Sequence, residues 1–155
     1  MHFIYDRYKD QDFIYIKNDD DCIINLDLLM NNLEYITKHD YVGELIHSTE
    51  DSYNPNWHGL SNKSKYNGPY MNGGSGYILS KKALSTIVNS KKLVKKLLKT
   101  EFYEDKLIGD ILRLHDFKIY EHPLWKSVYT KYDKTINFLK DNAFEDDVMS
   151  YNNFF

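Results

Sequence analysis

Three consecutive aspartates, Asp19, Asp20 and Asp21, offer the clearest chemistry in this sequence. They follow the apolar run 13–16 (FIYI), which has the length and composition of a buried strand. Adjacent carboxylates repel one another, and a bound cation removes that cost. Mg²⁺ and Mn²⁺ prefer carboxylate and water oxygens as ligands. The pattern therefore predicts a divalent-metal site at the end of a strand.

Two familiar acidic motifs fit this segment poorly. An EF-hand loop needs alternating ligands and a glycine at its sixth position, whereas the segment that starts at Asp19 has isoleucine at its fifth and sixth positions. A haloacid-dehalogenase-type phosphatase would have a small hydroxyl residue where this chain has Ile23. The remaining interpretation is a D-x-D element, with Asp19 and Asp21 around Asp20, that holds a divalent ion against a nucleotide diphosphate.

Other residues could serve the same chemistry, and each has a simpler interpretation. Gly73, Gly74 and Gly76 permit positive φ or close approach of a ligand, but could serve only a tight turn. The pair Glu104 and Asp105 could act on a substrate or merely favour the first turn of a helix. In the polar stretch 47–69, the side chains that could contact a sugar or a diphosphate, or be ordinary surface residues, are Trp57, His58, Lys63 and Lys65.

The surrounding pattern predicts alternating helices and strands. We expect a short helix within 2–12, a strand at 13–17, a helix over 25–37 with Asn25 as N-cap, and a strand at 41–46. Residues 70–79 predict a strand, a glycine turn and then a second strand or the entry to a helix. Helices are predicted from Ser80 and over 101–113, and a strand over 117–120. The apolar face of the helix over 25–37 is expected to pack on the sheet through Leu26, Leu29, Leu33 and Ile36.

Composition indicates one domain without strong attraction to nucleic acid. The chain has 155 residues, 20 basic and 23 acidic, with a net charge of −3. Cys22 is the only cysteine, which excludes an intramolecular disulfide and a cysteine zinc cluster. Charged residues interrupt the first 20 positions, and no apolar run approaches the roughly 20 residues of a membrane span. We expect a cytoplasmic protein.

The lysine-rich stretch 81–99 could contact an acidic membrane or a polyanion, although a solvated helix surface is the simpler interpretation.

Three segments together resemble a known enzyme family. IKNDDDCIINLDLL, YMNGGSGYILSKKAL and YEDKLIGDIL resemble, in order and approximate spacing, the fringe and β-1,3-galactosyl/N-acetylglucosaminyltransferase group, glycosyltransferase family 31. The resemblance extends from about residue 3 to about residue 122. It implies an α/β fold of the GT-A type in a minimal version that lacks much of the N-terminal nucleotide-binding half. Residues 1–132 would form the catalytic domain and 133–155 a C-terminal helix or tail.

The same resemblance implies a role for each matching residue. Asp21 would bind Mn²⁺ or Mg²⁺ directly, with Asp19 and Asp20 near the ribose and the metal-bound waters, and Asp19 as a second possible ligand. His122 would be a further metal ligand, and His115 is the weaker alternative. The residues of the sugar and acceptor cleft would be Gly73, Gly74 and Gly76. Apart from the resemblance, the residue type of Trp57 makes it a further candidate substrate contact. Asp105, beside Glu104, would be the general base.

The function implied is metal-dependent, inverting transfer of a hexose or N-acetylhexosamine from a UDP-sugar to a hydroxyl of a glycan or glycoprotein. One alternative is a non-catalytic module that binds sugar nucleotides or glycans, descended from such an enzyme. Another is a metal-dependent phosphoesterase. We expect neither a nucleic-acid partner nor a membrane span. A homodimer could cover the sheet edge where the lacking half would pack.

Overall fold

The computed structural model describes residues 1–20, 22–47, 68–101, 103–125, 127–129 and 150–152. Within these ranges the helices are α1 (His2–Tyr8), α2 (Leu26–Asn31), α3 (Leu33–Ile36), α4 (Lys81–Asn89), α5 (Lys91–Leu97) and α6 (Glu104–Leu114). The strands are β1 (Ile14–Lys17), β2 (Cys22–Ile24), β3 (Tyr41–Gly43), β4 (Leu45–Ile46), β5 (Tyr70–Met71), β6 (Tyr77–Ser80), β7 (Tyr120–Glu121), β8 (Ser127–Tyr129) and β9 (Ser150–Asn152).

A four-stranded sheet in the order β1-β6-β3-β7 forms the centre of the described fold. β6 is antiparallel to both β1 and β3, and β7 is parallel to β3. The register aligns Lys17 with Tyr77, Tyr77 with Gly43, and Gly43 with Glu121. These residues form one row across the sheet, so the segment after β1 and the segment after β7 leave the sheet at the same end.

Two smaller sheets complete the pairing of the described strands. β2 pairs antiparallel with β9, which pairs parallel with β8, and β4 pairs antiparallel with β5. β2 begins directly after the acidic segment. The strand from the end of the sequence therefore lies beside the strand that follows the candidate metal motif.

The two faces of the central sheet bury different side chains. Successive residues of a strand point to opposite faces, and accordingly Tyr41 and Leu79 join the larger core beneath α4, α5 and α6. Val42 and Ile78 join a smaller core on the other face, with Trp125 and the buried residues of α2 and α3. The two central strands are thus buried on both sides, which fixes the position of the loops at their ends.

Local signals explain where α4 and α6 form. The Ser80 hydroxyl caps α4 by accepting a hydrogen bond from the Ala83 N–H at 3.1 Å. The four buried residues of α4 recur at helical spacing: Ala83, Leu84, Ile87 and Val88. α6 has two acidic residues in its first turn, where they complement the helix dipole. Gly109 lets α6 lie against β5, because a Cβ at this position would lie 2.4 Å from the Cβ of Tyr70.

The sequence predictions for α1, β1 and the strand–turn–strand segment at 70–79 are confirmed. The predicted helix over 25–37 is capped by Asn25, whose side chain accepts from the Leu28 N–H at 3.0 Å. It is, however, divided into α2 and α3 at Asn32. The Asn32 side chain donates to the Leu28 carbonyl at 2.8 Å, the kind of local side-chain bond that competes with helix continuation.

Five further predictions need correction. Leu26 does not pack on the sheet, because 66% of it is exposed. The strand predicted at 41–46 is interrupted at Glu44, and the helical stretch after Ser80 is interrupted at Ser90. The helix predicted over 101–113 begins only at Glu104, and the strand predicted over 117–120 is Tyr120–Glu121. None of the described helices is long and apolar enough to cross a bilayer.

Candidate active site

A chain of polar contacts joins three segments that are far apart in the sequence. Lys17, the last residue of β1, forms an ion pair with the Asp19 carboxylate, and its ammonium group donates to the Gly73 carbonyl at 2.8 Å. The Gly73 N–H donates to Oδ2 of Asp105 at 3.0 Å. The acidic segment after β1, the turn 72–76 between β5 and β6 (the glycine turn) and the start of α6 therefore meet at the end of β1.

The acidic segment itself forms a tight connection between β1 and β2. The Cys22 N–H donates to the Asp19 carbonyl at 3.3 Å, and the Asn18 side chain donates to the Cys22 carbonyl at 3.0 Å. The Cys22 thiol donates to the Gly74 carbonyl at 2.5 Å. These hydrogen bonds connect Asn18 and Cys22, which flank the aspartates, and connect Cys22 to the glycine turn.

The glycines of the turn are required by close packing. Gly76 has a φ of +80°, and a Cβ there would lie 2.6 Å from the Lys17 carbonyl oxygen. A Cβ on Gly73 would lie 2.9 Å from the Cβ of Asp105. Side chains at these positions would push β1 and α6 away from the turn. The roles of Gly73, Gly74 and Gly76 in contacting a sugar or an acceptor stay predictions.

Asp105 is held in one orientation and is a stronger base than an ordinary aspartate. Its Oδ2 accepts from the Gly73 N–H at 3.0 Å, and its Oδ1 accepts from the Lys106 N–H at 2.7 Å. Burial raises the pKa of Asp105, and the negative charge of Asp19 acts in the same direction. The two N–H groups and the Lys17 charge oppose that rise only in part. The carboxylate thus combines fixed geometry with increased proton affinity.

Glu104, next to Asp105, is hydrogen-bonded to Tyr77 and not to the glycine turn. Its Oε1 accepts a hydrogen bond from the Tyr77 hydroxyl at 2.5 Å. Burial raises the pKa of Glu104, whereas the Tyr77 hydrogen bond and the Lys17 charge lower it. The pKa of Tyr77 is raised by burial and by the Glu104 charge, so its hydroxyl remains protonated and donates. Glu104 therefore links α6 to β6, and Asp105 is the better candidate for a base.

The three aspartates differ in what the structure places around them. The Asp19 side chain is 43% exposed and is paired with Lys17, and Asp20 is exposed. Asp21 lies outside the described residues. Among the residues that the structure does describe, no three of the types His, Cys, Asp and Glu are grouped as metal ligands. The donor chemistry of three successive carboxylates nevertheless suits a hard divalent ion.

His122 lies in an aromatic environment at the other edge of the central sheet. Its backbone N–H donates to the Gly43 carbonyl at 3.0 Å, its Nδ1 accepts from the Leu124 N–H at 3.3 Å, and its ring contacts those of Tyr35 and Tyr120 edge to face. Burial lowers the pKa of His122, which favours the neutral imidazole. β7 and β1 lie three strand spacings apart, roughly 14 Å at about 4.8 Å each. This separation does not favour one coordination sphere for His122 and Asp19, and the ligand role of His122 stays a prediction.

The weaker alternative, His115, lies still less favourably. It is the C-cap residue of α6, at the opposite end of that helix from Asp105, and its Nε2 lies 2.9 Å from the Ser90 hydroxyl. The helix between Asp105 and Leu114 is about 14 Å long at 1.5 Å per residue. His115 is therefore excluded from the cluster around Asp105.

Three residues that support the glycine turn were not predicted from the sequence. Lys17 connects all three segments, and its place between an apolar strand and an acidic triplet could have identified it. Glu44 accepts hydrogen bonds from the side chains of Asn72 and Ser75, both at 2.7 Å. The indole of Trp125 donates to the Ser75 carbonyl at 2.9 Å. No local pattern links Glu44 or Trp125 to the turn, because the contacts arise only from tertiary folding.

A cavity of about 520 Å³ opens beside the cluster. Its polar lining includes Tyr15, Lys17, Asn18 and Glu104, and its apolar lining includes residues of α4, α5 and α6. The volume is within the range of about 300–1,000 Å³ that is usual for small-molecule sites. A ligand in this cavity would lie next to Lys17 and Glu104. Trp57, the other predicted substrate contact, lies outside the described residues.

The sequence model of the Fringe-like family matches residues 1–151. This chain belongs to the Fringe-like family. The match includes all three motifs that suggested the resemblance, which is thereby confirmed. No curated protein matches the sequence.

Membership in the Fringe-like family has consequences for both fold and function. Fringe-like proteins are generally glycosyltransferases, which places this chain in that enzyme class and implies a sugar nucleotide and a glycan acceptor as its partners. The mixed α/β architecture with its small central sheet is compatible with the GT-A-like fold of the family. The polar cluster described above contains residues from each of the three motifs, so it is the candidate active site of this Fringe-like chain.

Proposed function

We propose that this chain is a metal-dependent, inverting glycosyltransferase that moves a hexose or an N-acetylhexosamine from a UDP-sugar to a hydroxyl of a glycan or glycoprotein. The observation that supports this proposal best is the hydrogen-bonded cluster of Asp19, Lys17, Gly73 and Asp105. It brings a candidate base next to an acidic segment whose chemistry suits a metal ion and a diphosphate.

In this reaction an acceptor hydroxyl oxygen bonds to the sugar C1 as the bond from C1 to the UDP oxygen breaks. The hydroxyl proton passes to Asp105, and the electron pair of the broken bond leaves with UDP. A positioned carboxylate within about 3 Å of the hydroxyl typically contributes a factor of about 10²–10⁴ to the rate. Each Asp105 oxygen accepts only one of the two backbone hydrogen bonds described, which leaves lone-pair capacity for the acceptor hydroxyl.

The aspartates would serve the leaving group. Asp21, with Asp19 and Asp20, would hold the divalent cation, which when bound acts as a Lewis acid that neutralises charge on the departing diphosphate. Lys17 adds a fixed positive charge between this segment and Asp105. A cation at this place lowers the cost of bringing a polyanionic donor next to several carboxylates.

One observation favours a second candidate, a sugar-nucleotide-binding module without turnover. The Asp19 carboxylate already has a cationic partner in Lys17. Such a module would bind UDP-sugars through Lys17 and the adjacent cavity. It would not need Asp105 as a base.

Thermal denaturation with UDP, GDP and UDP-sugars, each with and without Mn²⁺, tests the ligand class. We expect UDP to raise the melting temperature only when Mn²⁺ is present, and Asp21→Ala to abolish this shift. Ligand at 100 times its Kd stabilises a native state by about 2.7 kcal/mol, which is readily measured. Asp12→Ala, at an exposed carboxylate before β1, is the matched control and should behave as wild type. Equal shifts with UDP and GDP, or none with either, would contradict the proposal.

A further inference from the structure

The chain carries a concentrated positive charge on one segment. Residues 81–100 contain seven lysines and no aspartate or glutamate, although the net charge of the whole chain is −3. Five of these lysines follow Ser90, on α5 and the turn after it, and all five are exposed: Lys91, Lys92, Lys95, Lys96 and Lys99. The charges of these five lysines therefore lie close together on one small part of the surface.

The four lysines of α5 lie on one side of this helix. At 100° per residue they fall within an arc of about 140°. The opposite side faces the core, where Leu97 is buried and Leu93 and Val94 pack against the main cluster. None of the ion pairs between described residues uses any of the five lysines. Their charges are therefore directed at the surroundings of the protein.

Large apolar side chains adjoin these lysines at the surface. Leu98 is 57% exposed and continues α5, and Leu114 is 45% exposed at the end of α6. Leu114 lines a cavity of about 670 Å³ together with Lys91, Lys92 and Lys96. We call the five lysines with Leu98 and Leu114 the α5 surface. It combines exposed cationic and apolar groups, which a purely solvated helix face does not require.

We propose that the α5 surface docks on a bilayer that contains anionic phospholipids. Clustered lysines are attracted to acidic headgroups, and long lysine side chains extend their charge toward the headgroups while the leucines enter the boundary with the acyl chains. The lysines alone would also suit a nucleic acid, but the exposed leucines favour a bilayer. The association is peripheral, since no described helix crosses a bilayer.

The α5 surface and the candidate active site consist of different residues. Leu114 and Asp105 lie near opposite ends of α6, about 14 Å apart along the helix. The residues of the α5 surface therefore include neither the start of α6 nor the glycine turn. Membrane docking and the proposed transferase function rest on different residues, and each can fail without the other.

Co-sedimentation of the full chain with vesicles tests the proposal. We expect binding to vesicles of phosphatidylcholine with phosphatidylserine, and little binding to phosphatidylcholine alone. Each lysine near an acidic surface contributes about fivefold in affinity, so Lys91→Gln, Lys92→Gln and Lys96→Gln together should weaken binding about a hundredfold. The matched control removes the same charge at exposed positions of other segments through Arg7→Gln, Lys9→Gln and Lys38→Gln, and should retain most of the binding.

The leucines distinguish a bilayer from a polyanion. The double variant Leu98→Ser and Leu114→Ser keeps every lysine, and we expect it to bind the acidic vesicles at least tenfold more weakly because the loss of two inserted side chains removes apolar burial. A single-stranded oligonucleotide serves as the competing probe. Binding to the oligonucleotide but not to vesicles, vesicle binding that is insensitive to the lysine variant, or no binding to acidic vesicles would overturn the proposal. The UDP melting shift, measured on the same variants, reports separately on the proposed transferase site.

Discussion

Replacing Asp105 with Asn tests the proposed base directly. The variant keeps the size of the side chain but removes its ability to take up a proton at neutral pH. If Asp105 accepts the hydroxyl proton, turnover should fall by a factor of about 10²–10⁴, which corresponds to a barrier higher by roughly 3–5 kcal/mol. UDP binding should be nearly unchanged, because the residues proposed to hold the diphosphate are not altered.

The contacts of Asp105 also set the expected effect on folding. Its two oxygens accept hydrogen bonds from the Gly73 and Lys106 N–H groups, and asparagine offers only one oxygen. One backbone donor therefore loses its acceptor, a cost of about 1–3 kcal/mol. The substitution also removes the negative charge of the Asp105 carboxylate, whose pKa is raised by burial, and this offsets part of the cost. We expect a folded protein with a modestly lower melting temperature.

The assay measures release of UDP from UDP-galactose and UDP-N-acetylglucosamine with Mn²⁺, with water as the acceptor, and calorimetry measures UDP binding. Asp116→Asn is the matched control, because Asp116 is exposed and has a φ of +61°, which asparagine tolerates well. Wild-type turnover in Asp105→Asn would refute the role of base. Parallel loss of turnover and UDP binding would show that Asp105 acts instead on ligand binding or on the fold of the site.

Three further outcomes follow from the structure. Because the base must be ionised and its pKa is raised, kcat/KM should increase with pH with a midpoint above the ordinary aspartate value of 3.8, and a flat acidic profile would contradict this. Gly76→Ala should lower the free energy of unfolding, measured in urea, by about 2–5 kcal/mol, because the new alanine would have a positive φ and its Cβ would overlap with the Lys17 carbonyl oxygen. Gly68→Ala is the control: its Cβ would meet only the end of the Arg113 side chain, so the free energy of unfolding should fall much less. Lys106→Met should cost about 3–5 kcal/mol, because the fully buried Lys106 ammonium lies 2.7 Å from the Asp110 carboxylate and 3.4 Å from the buried Glu101 carboxylate. Asp110 keeps Arg113 as a partner at 2.6 Å, so Glu101→Gln added to Lys106→Met should recover part of this loss, and no recovery would argue against the Lys106–Glu101 pair.

Much of the local structure could be predicted because its causes lie close together in the sequence. The Asn25 cap, the apolar run of β1 and the glycine turn between β5 and β6 each depend on neighbouring residues. The order of the three motifs also indicated the family, since each motif holds residues that tertiary structure brings together. The pairing of Asp105 with the Gly73 backbone shows why these motifs occur in one chain.

The remaining features depend on contacts between distant residues. Glu44 is an unremarkable acidic residue in the sequence, and its role in holding Asn72 and Ser75 becomes visible only when β3 and β6 pair. The position of His122 also depends on contacts between distant residues, and its role as a ligand stays a prediction. Its residue type suggested a metal ligand, but the strand order places β7 at the other edge of the sheet from β1. Residue type and order along the chain do not determine which loops lie together at the end of a sheet.

The pairing of β2 with β9 bears on how the protein is made. During synthesis on the ribosome, the stretch that follows the aspartates emerges early, yet its partner strand in the described fold is supplied by residues 150–152. The central sheet can pair its strands as soon as β7 has emerged, whereas β2 can pair only after residues 150–152 have been translated. A nascent polypeptide that ends before residue 150 could therefore have the central sheet and the Lys17–Gly73–Asp105 contacts while β2 still lacks its partner strand.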